Sequence, residues 1–162
     1  MNSEWGIMRI SNVYYFLTNE ENVRFYYEPL SEINNVVKTC PVSFSRSNPA
    51  KIKSYFENNL NKVGWVNAVQ IDNRIKATIN FMKMDVGFVL QLGNVARIYA
   101  DLIKFNYLYD KGILKLGIIG VASRANAKLL GANYANYERV VDELEVYKNI
   151  LPMPLIIYGL AN

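Results

Sequence analysis

The sequence predicts an α/β domain with a mixed β-sheet, antiparallel in its first half and parallel in its second. Three closely spaced apolar segments, at 65–71, 77–84 and 86–92, predict a meander of strands. Two later apolar runs, at 113–121 and 155–160, are continuous, as in strands that are buried on both faces. Helical patterns precede each of these two runs, and this alternation is typical of a layered α/β fold.

Length and composition fit one globular domain. The 162 residues are 51% hydrophobic and 20% charged, which excludes a disordered chain. No apolar run approaches the ~18–20 residues of a membrane span, and the start, MNSEWGIMRI, is not that of a secretory signal. The scarcity of linker-like, Gly- and Pro-rich segments predicts a single domain over 1–162. Its N-terminal strands and a short helix are expected in 1–47, and its core in 48–162.

Two residue counts restrict the chemistry. Histidine is absent, which excludes an imidazole base and leaves Cys40 as the only soft ligand for zinc. A single cysteine cannot form an internal disulfide, which fits a reducing cytoplasm. The net charge of +4 is compatible with a polyanionic partner but does not require one.

The N-terminal part predicts a hairpin and two helices. Residues 7–17 are rich in β-branched and aromatic side chains and predict a strand, with 23–27 as its returning partner after a polar turn. A short helix is expected from Pro29 to about residue 38. The second helix starts with Asn48 as N-cap and Pro49 at its first position. It runs to about residue 62 with its core stripe on Ile52, Phe56 and Leu60.

Two further helices are predicted in the second half. The helix at 95–109 has one mostly apolar face, and the helix at 135–147 has another. The face of the first comprises Val95, Ile98, Tyr99, Leu102, Ile103 and Asn106. The polar segment between residue 121 and the helix at 135–147 is expected to be a loop.

Common nucleotide-binding, hydrolase and thiol signatures are absent from the sequence. Residues 79–94, INFMKMDVGFVLQLGN, instead contain a set of spaced residues that matches a known active-site motif. This stretch resembles the active-site meander of type II restriction endonucleases of the BglII/BstYI group, within the PD-(D/E)XK nuclease superfamily. The group's pattern is approximately D-F-V-K-x-x-x-G-x-E-V-Q-F-G. The matching residues here are Phe81, Lys83, Gly87, Gln91 and Gly93.

The resemblance continues in order along the chain. Asp101 and Leu102 match an Asp-Leu pair in the group's next helix, and 111–119 is similar to its buried strand. Residues 131–134 fall in its DNA-reading segment, and 153–160 look like its closing strand. The resemblance implies a three-layer fold with a mixed central sheet between helices, and binding of double-stranded DNA as a homodimer.

The departures from the group's pattern concern its metal site. The group holds Mg²⁺ with an Asp on one strand and a Glu nine residues later, because this hard cation prefers charged oxygen ligands. The matching positions here are Asn80 and Val89, and only Gln91, the third position, is kept. The comparison with the group therefore implies that this protein does not bind the group's Mg²⁺. We expect it to use no metal and no other cofactor. Glu57, on the first long helix, is the best-placed compensating carboxylate, or it belongs to a solvated helix face.

Six residues are candidates for DNA contact. Arginine suits guanine and asparagine suits adenine in the major groove. The candidates are Lys83, Asn94, Arg124, Lys128, Asn133 and Tyr134. Each also has an ordinary structural interpretation: a solvated strand lysine for Lys83, a helix cap for Asn94, and a polar surface loop for the others.

The favoured hypothesis is a cytoplasmic, DNA-binding homodimer that has lost catalysis. One alternative is a protein-partner role, as a non-catalytic subunit, an inhibitor or an immunity protein on a nuclease scaffold. Another is an Mg²⁺-dependent endonuclease that is still active through displaced ligands. The apolar helix at 95–109 is either part of the dimer interface, as the resemblance implies, or buried within the domain.

Overall fold

The strands form one mixed sheet of six, in the order β1-β6-β5-β4-β3-β2. A computed structural model describes residues 6–162, so the first five residues of the predicted domain lie outside the described range. The strands are β1 (Arg9–Phe16), β2 (Val66–Gln70), β3 (Thr78–Lys83), β4 (Val86–Gln91), β5 (Leu116–Ala122) and β6 (Leu155–Ala161). The helices are α1 (Tyr27–Thr39), α2 (Pro49–Asn61), α3 (Arg97–Asp110), α4 (Arg124–Leu130) and α5 (Tyr137–Tyr147).

The sheet changes from antiparallel to parallel in the middle, as the sequence predicts. Strands β2, β3 and β4 are antiparallel neighbours, whereas β4, β5 and β6 run parallel. The three parallel strands therefore end at one edge of the sheet, which we call the carboxyl edge. It is marked by Gln91, Ala122 and Ala161, the last residues of β4, β5 and β6.

Helices cover both faces of the sheet and give the three layers that the resemblance implies. Buried side chains of α1, α2 and α4 join one apolar core, and those of α3 and α5 join the other. The first core contains Phe56, Trp65, Phe81 and Phe88, and the second contains Ile98, Phe105, Val140 and Leu144. No helix within residues 6–162 is long and apolar enough to cross a membrane.

The predicted hairpin partner of the first strand is wrong. Residues 23–27 do not form a strand, because Arg24–Tyr26 is a short 3₁₀ helix that leads directly into α1. Strand β1 pairs instead with β6, antiparallel. The helix begins at Tyr27, two residues before Pro29, since proline in the first helical turn removes only an N–H that has no partner in the helix.

Two predictions about the second half also need correction. The predicted loop after residue 121 contains α4, whose N-cap Ser123 accepts a hydrogen bond from the backbone N–H of Asn126. The buried face of α3 consists of Ile98, Asp101, Leu102, Phe105 and Leu108. It is rotated from the predicted face, so Ile103 is 68% exposed. The rotation places Asp101 inward, where polar partners compensate its charge.

Candidate nucleic-acid interface

The register of β3 and β4 brings Asn80 and Val89 together. A two-residue turn at Met84 and Asp85 pairs Lys83 with Val86, and the ladder continues to the pair Phe81–Phe88. The ladder ends at this pair, and its register continued by one step would set Asn80 opposite Val89. The nine-residue spacing therefore spans two adjacent strands and not a single helix or loop.

The two strands separate immediately beyond this point. The side-chain Oδ1 of Asn80 accepts a hydrogen bond from the backbone N–H of Leu90 at 3.1 Å. This contact lies just beyond Phe81–Phe88, the last pair of the β3–β4 ladder. The amide oxygen of Asn80 is therefore already occupied by a hydrogen bond across the opening between the two strands.

Val89 belongs to the apolar core beneath α3. Its side chain is 2% exposed and lies in the same cluster as Ile79, Ile98 and Phe105. An apolar, fully buried side chain supplies no ligand atom. A carboxylate at this position would be surrounded by hydrocarbon on the α3 side.

Gln91 lies in a buried polar network with α3. Its Nε2 donates to Oδ2 of Asp101, whose other oxygen accepts from Lys104 Nζ at 3.0 Å. Lys104 also donates to the carbonyl of Thr78 on β3 at 3.1 Å. The carboxylate of Asp101 is therefore neutralised by Lys104 and hydrogen-bonded by Gln91, which satisfies a charge that is 6% exposed.

The side chains around Asn80 do not form a binding site for Mg²⁺. The cation requires several oxygen ligands, preferably charged, but Asn80 Oδ1 is used by the backbone and the Asp101 oxygens are used by Gln91 and Lys104. Within residues 6–162 no group of three or more His, Cys, Asp or Glu side chains is arranged to hold a metal. Glu57 is half-buried on α2 and does not join the residues around Asn80.

A cavity of about 320 Å³ lies where β3 and β4 diverge, between α2 and α3. Its lining is rich in cationic and amide side chains. The lining residues are Lys53, Asn80, Leu90, Gln91, Arg97, Ala100, Asp101 and Lys104. Asn80 and Gln91, predicted from the sequence, thus share one site, whereas Val89 lies behind it in the core.

The carboxyl edge gathers three of the predicted DNA-contact residues. Asn94 forms an isolated antiparallel bridge with Tyr134, and the backbone N–H of Val95 donates to the carbonyl of Asn133 at 2.9 Å. Asn133 is exposed with a φ of +61°, a left-handed conformation that asparagine tolerates. Asn94 Oδ1 accepts from the backbone N–H of Ala96, so it also caps the turn before α3.

Arg124 and Lys128 extend the same edge. They are exposed and lie four residues apart on α4, so they occupy one side of the helix. The helix follows directly after β5, whose last residue, Ala122, marks the carboxyl edge. Neither side chain makes an ion pair with another residue of the described range.

Lys83 lies away from this surface, at the opposite end of β3. Its Nζ donates to Glu28 at 2.9 Å, to Glu32 at 2.6 Å and to the carbonyl of Val63 at 2.9 Å. The hydrogen bond to Glu32, more than the one to Glu28, raises the pKa of Lys83 above its ordinary range. Trp65 Nε1 also donates to Glu32, so the network ties α1 to the sheet. These contacts favour a structural role for Lys83 over DNA contact.

Replacing Lys83 with methionine is expected to lower the free energy of unfolding by about 1–3 kcal/mol, because Glu32 loses its partly buried cationic partner. Since the pKa of Lys83 is raised in the folded state, its contribution is complete at neutral pH and is lost as the pH rises through that pKa. Urea unfolding at pH 7 and above pH ~10 measures the difference between wild type and variant, which should narrow at high pH. Lys76→Met, in an exposed loop, is the control.

The fold and its site define a class of protein: a nuclease-like α/β domain of the restriction-endonuclease type. Among solved structures, the chain is similar to restriction endonuclease BglII complexed with a DNA 16-mer, with a TM-score of 0.79 and 16% identity over 93% of this chain and 78% of that one. It is also similar to free BglII, with a TM-score of 0.71 and 17% identity over 91% and 77% of the two chains. No curated protein matches the sequence.

The family follows from the sequence profile described as Restriction endonuclease BglII/BglIII, which matches residues 21–160. The chain belongs to this family of restriction-endonuclease-like, DNA-binding proteins. The resemblance that the meander carries is therefore confirmed, as is the fold class.

Sequence reasoning missed part of the cavity. Lys53, Arg97 and Lys104 are not among the residues that the sequence analysis assigns to a site. The signal was present, because Arg97, Ala100, Asp101 and Lys104 follow the spacing i, i+3, i+4, i+7 along α3. This stripe contains three charged residues on one side of an otherwise apolar helix, which indicates a polar site against the sheet.

Proposed function

We propose that this protein binds double-stranded DNA through the carboxyl edge of its sheet and does not cleave it. The observation that carries the proposal is the composition of that edge. Cationic and amide side chains gather there, whereas the two positions that the family resemblance assigns to metal-binding carboxylates hold Asn80 and Val89. We further propose that Mg²⁺ has no role in this binding.

The electrostatics of the edge support DNA binding. Four exposed cations, Lys53, Arg97, Arg124 and Lys128, make no ion pair with any residue in the range 6–162. Phosphates along a duplex are the natural counterions for such a set. Neutral residues at 80 and 89 also avoid the repulsion that two unneutralised carboxylates would exert on a nearby phosphate.

The amide side chains of the edge supply groups suited to reading bases. Asn133 is exposed, and an asparagine amide can pair with adenine in the major groove. Arg124, exposed at the start of α4, has the bidentate geometry that matches guanine. The ring of Tyr134 is half-buried near Gly131, so we assign Tyr134 to positioning the loop and not to base stacking.

We propose that two copies act together. A homodimer with two-fold symmetry would read a palindromic site, each protomer contacting one half. The surface of α3 is not proposed as the interface, because the helix buries Ile98, Leu102 and Phe105 within its own domain. A DNA ligand and a single cysteine are both in keeping with the cytoplasm.

The test is selection from a random duplex pool at near-physiological salt in the presence of EDTA, followed by sequencing. Enrichment of a palindrome is the expected result and supports a metal-independent, sequence-specific dimer. Weak, salt-sensitive retention without enrichment would overturn the proposal and favour a role in binding another protein. Duplex cuts that appear with Mg²⁺ or Mn²⁺ and disappear with EDTA would overturn the non-cleaving part.

The double variant Arg124→Gln/Lys128→Gln should bind the selected duplex roughly 10- to 100-fold more weakly, because each lost cation removes a contact to phosphate or base. The slope of log K against log salt should also become shallower by about one per lost phosphate contact. Fluorescence anisotropy over a salt series measures both quantities. The control is Lys111→Gln/Lys115→Gln, with the same charge change before β5 at the opposite edge, and an equal loss there would contradict the assigned surface.

A further inference from the structure

The cavity between α2 and α3 is lined by more positive charge than its own residues neutralise. Lys104 is paired with Asp101, as described above, and leaves Lys53 and Arg97 as cations without an ion-pair partner in the described range. These two cations come from helices on opposite faces of the sheet and meet at the opening between β3 and β4. This excess of positive charge favours the binding of an anion in the cavity.

The polar atoms left free in the cavity are suited to an anion as well. Because Asn80 Oδ1 is committed to Leu90, the amide group has its N–H donors left, and they make no hydrogen bond with residues 6–162. An ammonium, a guanidinium and an amide N–H₂ are all donors, and charge-assisted donors of this kind bind phosphate oxygens well. The cavity volume of about 320 Å³ is within the range of small-ligand sites.

The backbone at Gly93 allows the arginine to reach this place. A Cβ atom at Gly93 would lie 2.9 Å from Gln91 Oε1 and 3.2 Å from Arg97 Cδ. A larger residue at 93 would therefore push the Gln91 and Arg97 side chains away from the end of β4. The acidic partners that would hold its guanidinium are missing, since the residues at 80 and 89 are neutral and Asp101 is already satisfied.

We infer that this cavity is a phosphate-binding site in which Lys53 and Arg97 take the electrostatic role of a divalent cation. The inference rests on the proposed function, because the phosphate it assigns is one of the DNA backbone, held at the opening between β3 and β4. A carboxylate at position 80 would partly neutralise the same two cations from within the protein, because Asn80, Lys53 and Arg97 line one cavity. With Asn80 and Val89, their charge is available to the ligand.

The first experiment asks whether the site binds phosphate on its own. The full chain, labelled with ¹⁵N and kept in EDTA, is titrated with inorganic phosphate and followed by NMR. We expect saturable shifts at the Asn80 side-chain amide and the Arg97 Nε–H, with no change around Lys115 at the opposite edge. Shifts spread evenly over exposed lysines, or none at all, would overturn the site.

The second experiment asks whether the phosphate belongs to DNA. Lys53→Gln and Arg97→Gln should each weaken duplex binding in EDTA roughly 5- to 10-fold and reduce the salt slope by about one. Lys111→Gln is the matched control, because Lys111 is exposed at the opposite edge and makes no ion pair with residues 6–162. Both replaced side chains are exposed, so the variants should unfold at the wild-type temperature, which a thermal melt checks.

The outcomes separate this inference from the proposed function. Duplex binding that is unchanged in both variants would overturn the DNA phosphate while leaving the DNA-binding proposal intact. If the wild type binds no duplex, the proposed function fails, and saturable phosphate shifts would then assign the site to a free phosphate and overturn its DNA source. Restoration of the lost affinity by Lys53→Arg would show that charge, and not the length of the lysine side chain, is what the site uses.

Discussion

The double variant Asn80→Asp/Val89→Glu is expected to bind Mn²⁺ and to need it for stability. The register of β3 and β4, continued one step past the pair Phe81–Phe88, sets these two positions opposite each other, so a metal held by the carboxylate at position 80 would draw the longer side chain at position 89 out of the core toward the opening between the strands. Without metal, the new glutamate is a buried charge among Ile79, Ile98 and Phe105, and an unpaired charge of this kind costs about 3–5 kcal/mol. A metal at 1,000 times its Kd returns about 4 kcal/mol.

Urea unfolding of the double variant with EDTA and with Mn²⁺ measures this effect. The wild type should be unaffected by Mn²⁺, whereas the variant should be weakened in EDTA and restored by the metal. Its metal-free affinity for duplex DNA should also fall, because the carboxylate at position 80 would partly neutralise Lys53 and Arg97 and repel phosphate.

The matched control is Asn80→Asp/Val89→Gln, which has nearly the same size and one negative charge fewer. It should fold and gain little from Mn²⁺, since a hard cation prefers charged oxygen ligands. A double variant with glutamate that folds but unfolds identically with and without Mn²⁺ would contradict the register that we assign to the two positions. Equal metal stabilisation of the glutamine control would contradict the role of the second carboxylate.

Elements whose signal is local could be predicted from the sequence. The continuous apolar runs that become β5 and β6 need no tertiary context, and neither does α2, which has a proline at its first position. The failures depend on context. Residues 23–27 have strand-like composition, but the hydrogen-bonding partner of β1 lies at the far end of the chain in β6. The short helix α4 was missed because a polar, seven-residue segment carries little periodicity.

The site was predictable to the extent that it follows from one hairpin. The nearness of Asn80 to the end of β4 follows from the hairpin register, and Gln91 lies two residues after Val89 on the same side of β4. The position of Lys53 near Arg97 could not be predicted from the sequence, because it depends on how α2 and α3 pack on opposite faces of the sheet. The intramolecular partners of Lys83 could not be predicted from the sequence either, because Glu28 and Glu32 lie more than 50 positions earlier in the chain.

Replacing Phe88 with alanine is expected to lower the free energy of unfolding by about 3–5 kcal/mol. The Phe88 side chain is 1% exposed and stacks on Phe81 with ring centroids 5.7 Å apart. The rings of Phe56 and Trp65 lie at 6.1 and 6.4 Å. Phe88 thus connects α2, the residue preceding β2, and β3 to the strand that carries Gln91. Alanine would leave a cavity among the three remaining aromatic rings.

Urea unfolding at 25 °C measures the change, with Phe25→Ala as the control. Phe25 is 95% exposed in the short 3₁₀ segment, so its replacement should change the free energy of unfolding by less than about 0.5 kcal/mol. Because a domain of this kind is stable by only about 5–15 kcal/mol, Phe88→Ala should also unfold at a markedly lower temperature. Its DNA affinity below that temperature should stay close to wild type, since Phe88 contributes no polar atom to the cavity. A loss of less than about 1 kcal/mol would mean that the aromatic cluster does not hold α2 against the sheet.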